Sequence, residues 1–120
     1  MLTYDTYKLI HLLGLFTLFL ALGGVMVHAA AGGEKWHPGR GLVMAAHGLG
    51  AFLVVLGGFG MLARLEVGGI PAWVHPKLAI WLVLAGAVAL PYRYPALARP
   101  MLLLLPVLGG VAAWIGIYHP

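Results

Sequence analysis

The sequence predicts an all-α integral membrane protein, a single domain that folds as an antiparallel up-down bundle of four helices. Hydrophobic residues make up 62% of the 120-residue chain and charged residues only 8%, whereas soluble domains usually carry about 25% charged residues. Four apolar segments, at about 4–31, 41–64, 72–90 and 101–118, approach or exceed the ~20 residues that a helix needs to cross a bilayer. The connections between them are short, which places consecutive helices side by side in opposite directions.

The first predicted helix, 4–31, carries small residues at Ala29 and Ala30 that resemble a signal-peptide cleavage site. Its apolar stretch is longer than the roughly 7–15 residues of a signal-peptide core, and no strongly basic segment precedes it. We therefore expect a retained helix, which ends at Gly32 and Gly33.

The second predicted helix, 41–64, is the richest in glycine, with Gly48, Gly50, Gly57 and Gly58 among its residues. Small residues let helix backbones approach closely, which favours helix association inside a membrane. We therefore expect this helix to lie at the centre of the bundle.

Prolines mark the third and fourth predicted helices, 72–90 and 101–118. Pro71 suits the first turn of a helix, where a missing N–H group costs nothing, and Pro76 either starts or kinks the third helix. Pro106 predicts a kink in the fourth helix, which membrane helices tolerate.

The basic residues indicate contact with lipid rather than with nucleic acid. The formal net charge is +4, but the seven lysines and arginines are scattered near the ends of predicted helices, where such residues usually contact anionic headgroups. Loops one and three hold four of them and the opposite side holds three. This small bias places both termini outside, and we expect the protein in the bacterial cytoplasmic (inner) membrane.

The chain lacks residues that several kinds of chemistry require. It has no cysteine, which excludes disulfides, thiolate metal sites and covalently attached c-type haem, and it has no serine nucleophile. Its three acidic residues fall in predicted loops or near a terminus. Proton pumps and cation carriers usually keep an acid inside the membrane, so transport is a weaker interpretation.

Six histidines are the main functional signal in so apolar a chain, and four of them lie in or beside predicted helices. At ~1.5 Å per residue, His11 and His28 stand ~25 Å apart along one helix and cannot share an ion. His11 and His47 are also separated in depth. Matching depths instead pairs His11 with His75, and His28 with His47.

Neutral imidazole is the usual protein ligand of haem iron, so these histidines predict a haem b site between the helices. His11 or His47 is the expected metal ligand, with His75 or His28 as the candidate second ligand. The competing interpretation is that each histidine only bonds a neighbouring helix, which contributes about 1–2 kcal/mol or less.

Basic residues near the N-terminal face complete this predicted site. Haem propionates are anionic and usually lie at an interface beside lysine or arginine. The candidate propionate-binding residues are Lys8, Arg64 and Lys77.

Three segments carry a family resemblance: 7–14 (YKLIHLLG), 46–64 (from AHG to GFGMLAR) and 73–78 (WVHPKL). A histidine early in the first helix, a histidine in the second and Trp-x-x-x-Lys opening the third resemble the SirB-like, CopD-like and HemJ-like small four-helix membrane proteins. Position by position, the resemblance matches His11, His47 and Lys77. For HemJ-like members it implies protoporphyrinogen oxidation and bound haem b, and for CopD-like members copper handling.

Two functional hypotheses follow, from different classes of protein. The first is a haem b-binding redox protein or subunit that exchanges electrons with a quinone or a membrane redox partner, or oxidises a porphyrinogen-type substrate. The second is a cofactor-free scaffold or accessory subunit of a larger complex, whose glycine-rich faces serve helix packing within the chain itself or with a partner in a homo- or hetero-oligomer. Both place the chain in a lipid bilayer.

Overall fold

A computed structural model describes residues 2–119, and every regular element in that range is helical. The helices are α1 (Tyr4–Ala30), α2 (Arg40–Leu65), α3 (Val74–Gly86), α4 (Leu90–Arg93) and α5 (Ala98–Tyr118). Two 3-10 turns, Ala87–Ala89 and Pro95–Leu97, flank the short helix α4. The all-α prediction is confirmed.

Four stretches are long and apolar enough to cross a membrane: Tyr4–Ala30, Arg40–Leu65, Val74–Arg93 and Pro95–Tyr118. Their lengths fit a helical bundle. The first two agree with the predicted segments to within one residue at each end. The third includes α4, so it runs past the predicted end at residue 90.

Local sequence explains where several helices begin and end. The Thr3 hydroxyl accepts a hydrogen bond of 3.2 Å from the Thr6 amide, which caps the first turn of α1. At the same end of the α1–α2 hairpin, α2 ends at Leu65, and the next residue, Glu66, has a φ of 55° in the left-handed region. Pro76 is the third residue of α3 and therefore belongs to its first turn, while α5 continues through Pro106.

Helix α1, not α2, lies at the centre of the structure. It contacts α2, α4, α5 and both 3-10 turns, whereas α2 contacts mainly α1 and, to a much smaller extent, α3. The side chains of Leu18, Leu22 and Met26 on α1 are almost completely buried. The prediction of a central α2 was wrong because the glycines that make close contacts, such as Gly50 and Gly57, face α1, while Gly48 faces open space.

The contact between α1 and α2 brings the two backbones together. A Cβ atom added at Gly57 would lie 2.5 Å from the backbone nitrogen of His11, and one at Gly50 would lie 2.6 Å from that of Leu18. The contacted residue on α1 moves forward from His11 to Leu18 as the glycine on α2 moves back from Gly57 to Gly50. The two helices are therefore antiparallel. Only residues without a side chain permit so close an approach.

Candidate functional site

His11 is fixed on α1 by a hydrogen bond to the backbone of α2. Its Nδ1 atom lies 2.7 Å from the carbonyl oxygen of Val54. Because a carbonyl oxygen can only accept, Nδ1 must carry the hydrogen, which leaves the lone pair of the neutral ring on Nε2. Metal-binding histidines are usually oriented by such a bond from their other nitrogen. His11 is therefore held in a form that can bind a metal through Nε2.

The glycines of α2 make room for the His11 ring. Besides the backbone contact at Gly57, a Cβ atom at Gly58 would lie 3.6 Å from the Nδ1 atom of His11. The ring is half-buried against this glycine pair. The close approach of α1 and α2 therefore also sets the position of His11.

Lys77 on α3 belongs to the same region. It lies within electrostatic range of His11, and its Nζ atom is 6.0 Å from the centre of the Trp73 ring. Trp73 in turn stacks on His119, with ring centres 3.8 Å apart and planes 9° apart. Lys77, which the sequence analysis also selected, is thus near enough to His11 for their charges to interact, while its own side chain lies beside Trp73 and Gly116.

His47 stands elsewhere in the fold, in the core-facing side of α2. It is 7% exposed, and its Nε2 atom is buried without a hydrogen-bond partner among the described residues. Gly57, which faces His11, follows ten residues later on α2, or ~15 Å along the helix. His47 and His11 therefore cannot bind one iron together.

His28 belongs to a third group, near the opposite end of the bundle. Its Nδ1 atom lies 2.7 Å from the Tyr92 hydroxyl, and the same hydroxyl lies 3.5 Å from Nε2 of His37. The two imidazole ring centres are 4.3 Å apart. The structure thus places His28 beside His37 and Tyr92, whereas the depth argument had matched it to His47.

The remaining candidates are on the surface. The side chains of Lys8, Arg64 and His75 are exposed. Within residues 2–119 no group of three or more histidine, aspartate or glutamate side chains could hold a metal ion. Any metal bound by these histidines would therefore need further ligands, as iron in haem has from its porphyrin.

The space around the histidines limits how haem could fit. An apolar cavity of about 300 Å³ lies between Phe16 on α1 and Leu42 on α2, and a polar cavity of about 690 Å³ lies beside Arg40 and Tyr92. Neither cavity is lined by His11 or His47. His11 thus offers a donor atom, Nε2, for a ligand, but neither of these cavities adjoins it.

Two residues of these groups were missed in the sequence, namely Tyr92 and His37. Both lie at the same end of the bundle as His28, and a depth comparison that included loop residues and tyrosines would have found them. Trp81, by contrast, is partly buried against the hydrophobic core and donates a 3.0 Å hydrogen bond to the Ala51 carbonyl.

No protein-family model, curated protein or solved structure matches this chain. The resemblance to SirB-like, CopD-like and HemJ-like proteins therefore stays a prediction.

Proposed function

We propose that the chain is an integral membrane protein that crosses the bilayer four times as an up-down bundle. The lengths of its four apolar helices support this proposal. So does the outer surface, where large apolar side chains such as Leu20 (80% exposed), Leu103 (73%) and Ile117 (71%) face away from the core. Soluble monomers rarely expose extensive apolar patches, whereas lipid solvates them.

We further propose that this membrane protein binds haem b through His11 and serves as a redox protein or subunit. The observation that carries the proposal is the 2.7 Å contact between Nδ1 of His11 and the Val54 carbonyl, because it leaves Nε2 as the ligand atom. Lys77, which lies nearby, would pair with a propionate. Lys8 and Arg64 would bind the second propionate or lipid headgroups from the surface.

Haem would supply one-electron chemistry, and the chain would supply its placement. Val54 holds the imidazole of His11 in one tautomer, and the glycines of α2 hold the ring in position. In a bacterial cytoplasmic membrane, a quinone, a second redox protein or a porphyrinogen-type substrate would be the reaction partner.

A cofactor-free scaffold is the second candidate, and a specific observation favours it. Neither described cavity touches His11 or His47, while the backbones of α1 and α2 are in direct contact at their glycines. In that case the His11 bond would serve only to join the two helices, and the protein would act within a larger membrane complex.

An absorption spectrum distinguishes the two candidates. We would purify the protein in detergent from haem-replete cells and record spectra before and after dithionite. The decisive variant is His11→Asn, because the asparagine amide can still donate to the Val54 carbonyl but provides no ligand in place of Nε2. His37→Ala, a histidine change at the opposite end of the bundle, is the matched control.

We expect a Soret band in the wild type and in the His37→Ala variant, and its loss in a folded His11→Asn variant. A colourless wild-type protein would reject haem binding and favour the scaffold. A Soret band that survives in His11→Asn would reject His11 as the ligand.

A further inference from the structure

A second candidate site lies at the end of the bundle away from His11. The cavity of about 690 Å³ is formed by the α1–α2 loop, the first turns of α2 and the helix end at α4. Three basic residues line it, Lys35, Arg40 and Arg93, together with a single carboxylate from Glu34. The excess of positive charge around one cavity suits an anionic ligand.

Aromatic rings, rather than carboxylates, hold these basic groups in place. The guanidinium carbon of Arg40 lies 4.6 Å and the Lys35 ammonium 5.4 Å from the centre of the Trp36 ring. The guanidinium of Arg93 lies 5.6 Å from the centre of the Tyr94 ring. A guanidinium that rests on an aromatic ring still presents N–H groups at its edge, in the fork geometry that matches phosphate oxygens.

The rest of the lining is of mixed character. Met44 and Val88 provide apolar surface, and Tyr92 provides a hydroxyl that is already oriented by its 2.7 Å contact with His28. A ligand with an anionic group and an apolar portion would therefore meet complementary surface at both ends. Basic pockets between membrane helices bind the headgroups of anionic lipids in this way.

We infer that this cavity binds the phosphate group of an anionic amphiphile, with Arg40 and Arg93 contacting the phosphate oxygens and Met44 and Val88 contacting the apolar portion. The inference rests on the membrane-spanning part of the proposed function and is independent of haem. A phospholipid of the surrounding leaflet has this chemistry.

The test is lipid retention by the purified protein, measured by native mass spectrometry from detergent. The probes are phosphatidylglycerol, phosphatidylcholine of the same chain length, and inorganic phosphate. The test variant is the double change Arg40→Gln and Arg93→Gln. The matched control is Arg99→Gln, because Arg99 lies at the same end of the bundle and is exposed but does not line the cavity.

We expect preferential retention of phosphatidylglycerol by the wild type and by Arg99→Gln. In the double variant its binding should fall by about 25-fold, since each basic residue near an anionic lipid contributes about fivefold. Should the double variant fail to fold, Arg93→Gln alone is the fallback, because its exposed side chain leaves the core intact, and about a fivefold loss is expected.

Three results would overturn the inference. They are equal retention of the two lipids by the wild type, an equal loss in the Arg99→Gln control, and displacement of the lipid by inorganic phosphate at equal concentration. Failure of the membrane assignment is separately visible, because the chain would then purify as a soluble monomer without detergent. Lipid retention in His11→Asn should equal that of the wild type whether or not haem is bound.

Discussion

Replacing Gly57 with alanine tests whether the contact between α1 and α2 positions His11. The new Cβ atom would lie 2.5 Å from the His11 backbone nitrogen, against 3.4 Å for an ordinary contact, so the helices must separate by about 0.9 Å. Overpacking of this kind costs about 1–3 kcal/mol. The 2.7 Å bond from His11 to the Val54 carbonyl would lengthen beyond ~3.5 Å if it took up the whole shift.

Gly48→Ala is the matched control, because a Cβ atom at Gly48 meets nothing within 4 Å. Alanine is better than glycine in a helix by about 1 kcal/mol, so this variant should be as stable as the wild type or more stable. Free energies of unfolding would be measured by titrating dodecyl sulfate into mixed micelles, with circular dichroism as the readout. We expect Gly57→Ala to be less stable than Gly48→Ala by about 1–3 kcal/mol.

Equal stability of the two alanine variants would refute the packing argument. A Gly57→Ala protein that is destabilised but keeps an unchanged Soret band would have a different meaning. That result would mean that the helix contact stabilises the fold but does not position His11 for haem binding.

Two further predictions concern the other histidine groups. Tyr92→Phe removes the hydroxyl between the two imidazoles, and the free energy of unfolding should fall by about 1 kcal/mol. The control, Tyr94→Phe, changes an exposed tyrosine and should alter the free energy of unfolding little. A larger loss in Tyr94→Phe than in Tyr92→Phe would contradict a stabilising role for the Tyr92 hydroxyl. His47→Leu should raise the free energy of unfolding of the haem-free protein by about 1 kcal/mol, because the unpaired Nε2 costs free energy on burial. A fall in stability would mean that this nitrogen has a partner in the folded protein.

The helices were predictable because they depend on local properties of the chain. Hydropathy over ~20 residues defines each long helix. Glycines between α1 and α2 and prolines around α3 and α5 limit several helix ends, and Thr3 caps the start of α1. The predicted and observed bounds of α1 and α2 therefore agree closely. The bounds differ more around α4, because the apolar pattern weakens there and the backbone alternates between α-helix and 3-10 turns.

The arrangement of the helices was less predictable, since it depends on which faces meet. The glycine content of α2 predicted that it packs closely against another helix, and this is confirmed at Gly50 and Gly57. It did not show that both of these residues face α1, or that α1 also contacts α4 and α5. Gly48 cannot be told apart from these glycines by residue type, yet it faces open space.

The sequence indicated which residues could form a site better than it indicated which of those residues lie close together. His11 and Lys77 were selected from the sequence and lie in one region. The hydrogen bond to Val54 was not predictable, because a backbone carbonyl leaves no mark in the sequence. His28 was matched to the wrong histidine because only residues inside the spans were compared for depth.

The direct backbone contact between α1 and α2 also bears on how the protein is made. The chain is synthesised from its N-terminus, so the two helices that approach each other most closely leave the ribosome before α3 and α5 do. Their hairpin can therefore close before α3 exists. A nascent chain halted after the first loop and α2 would already contain the whole surface on which His11 rests, and the later helices would assemble against it.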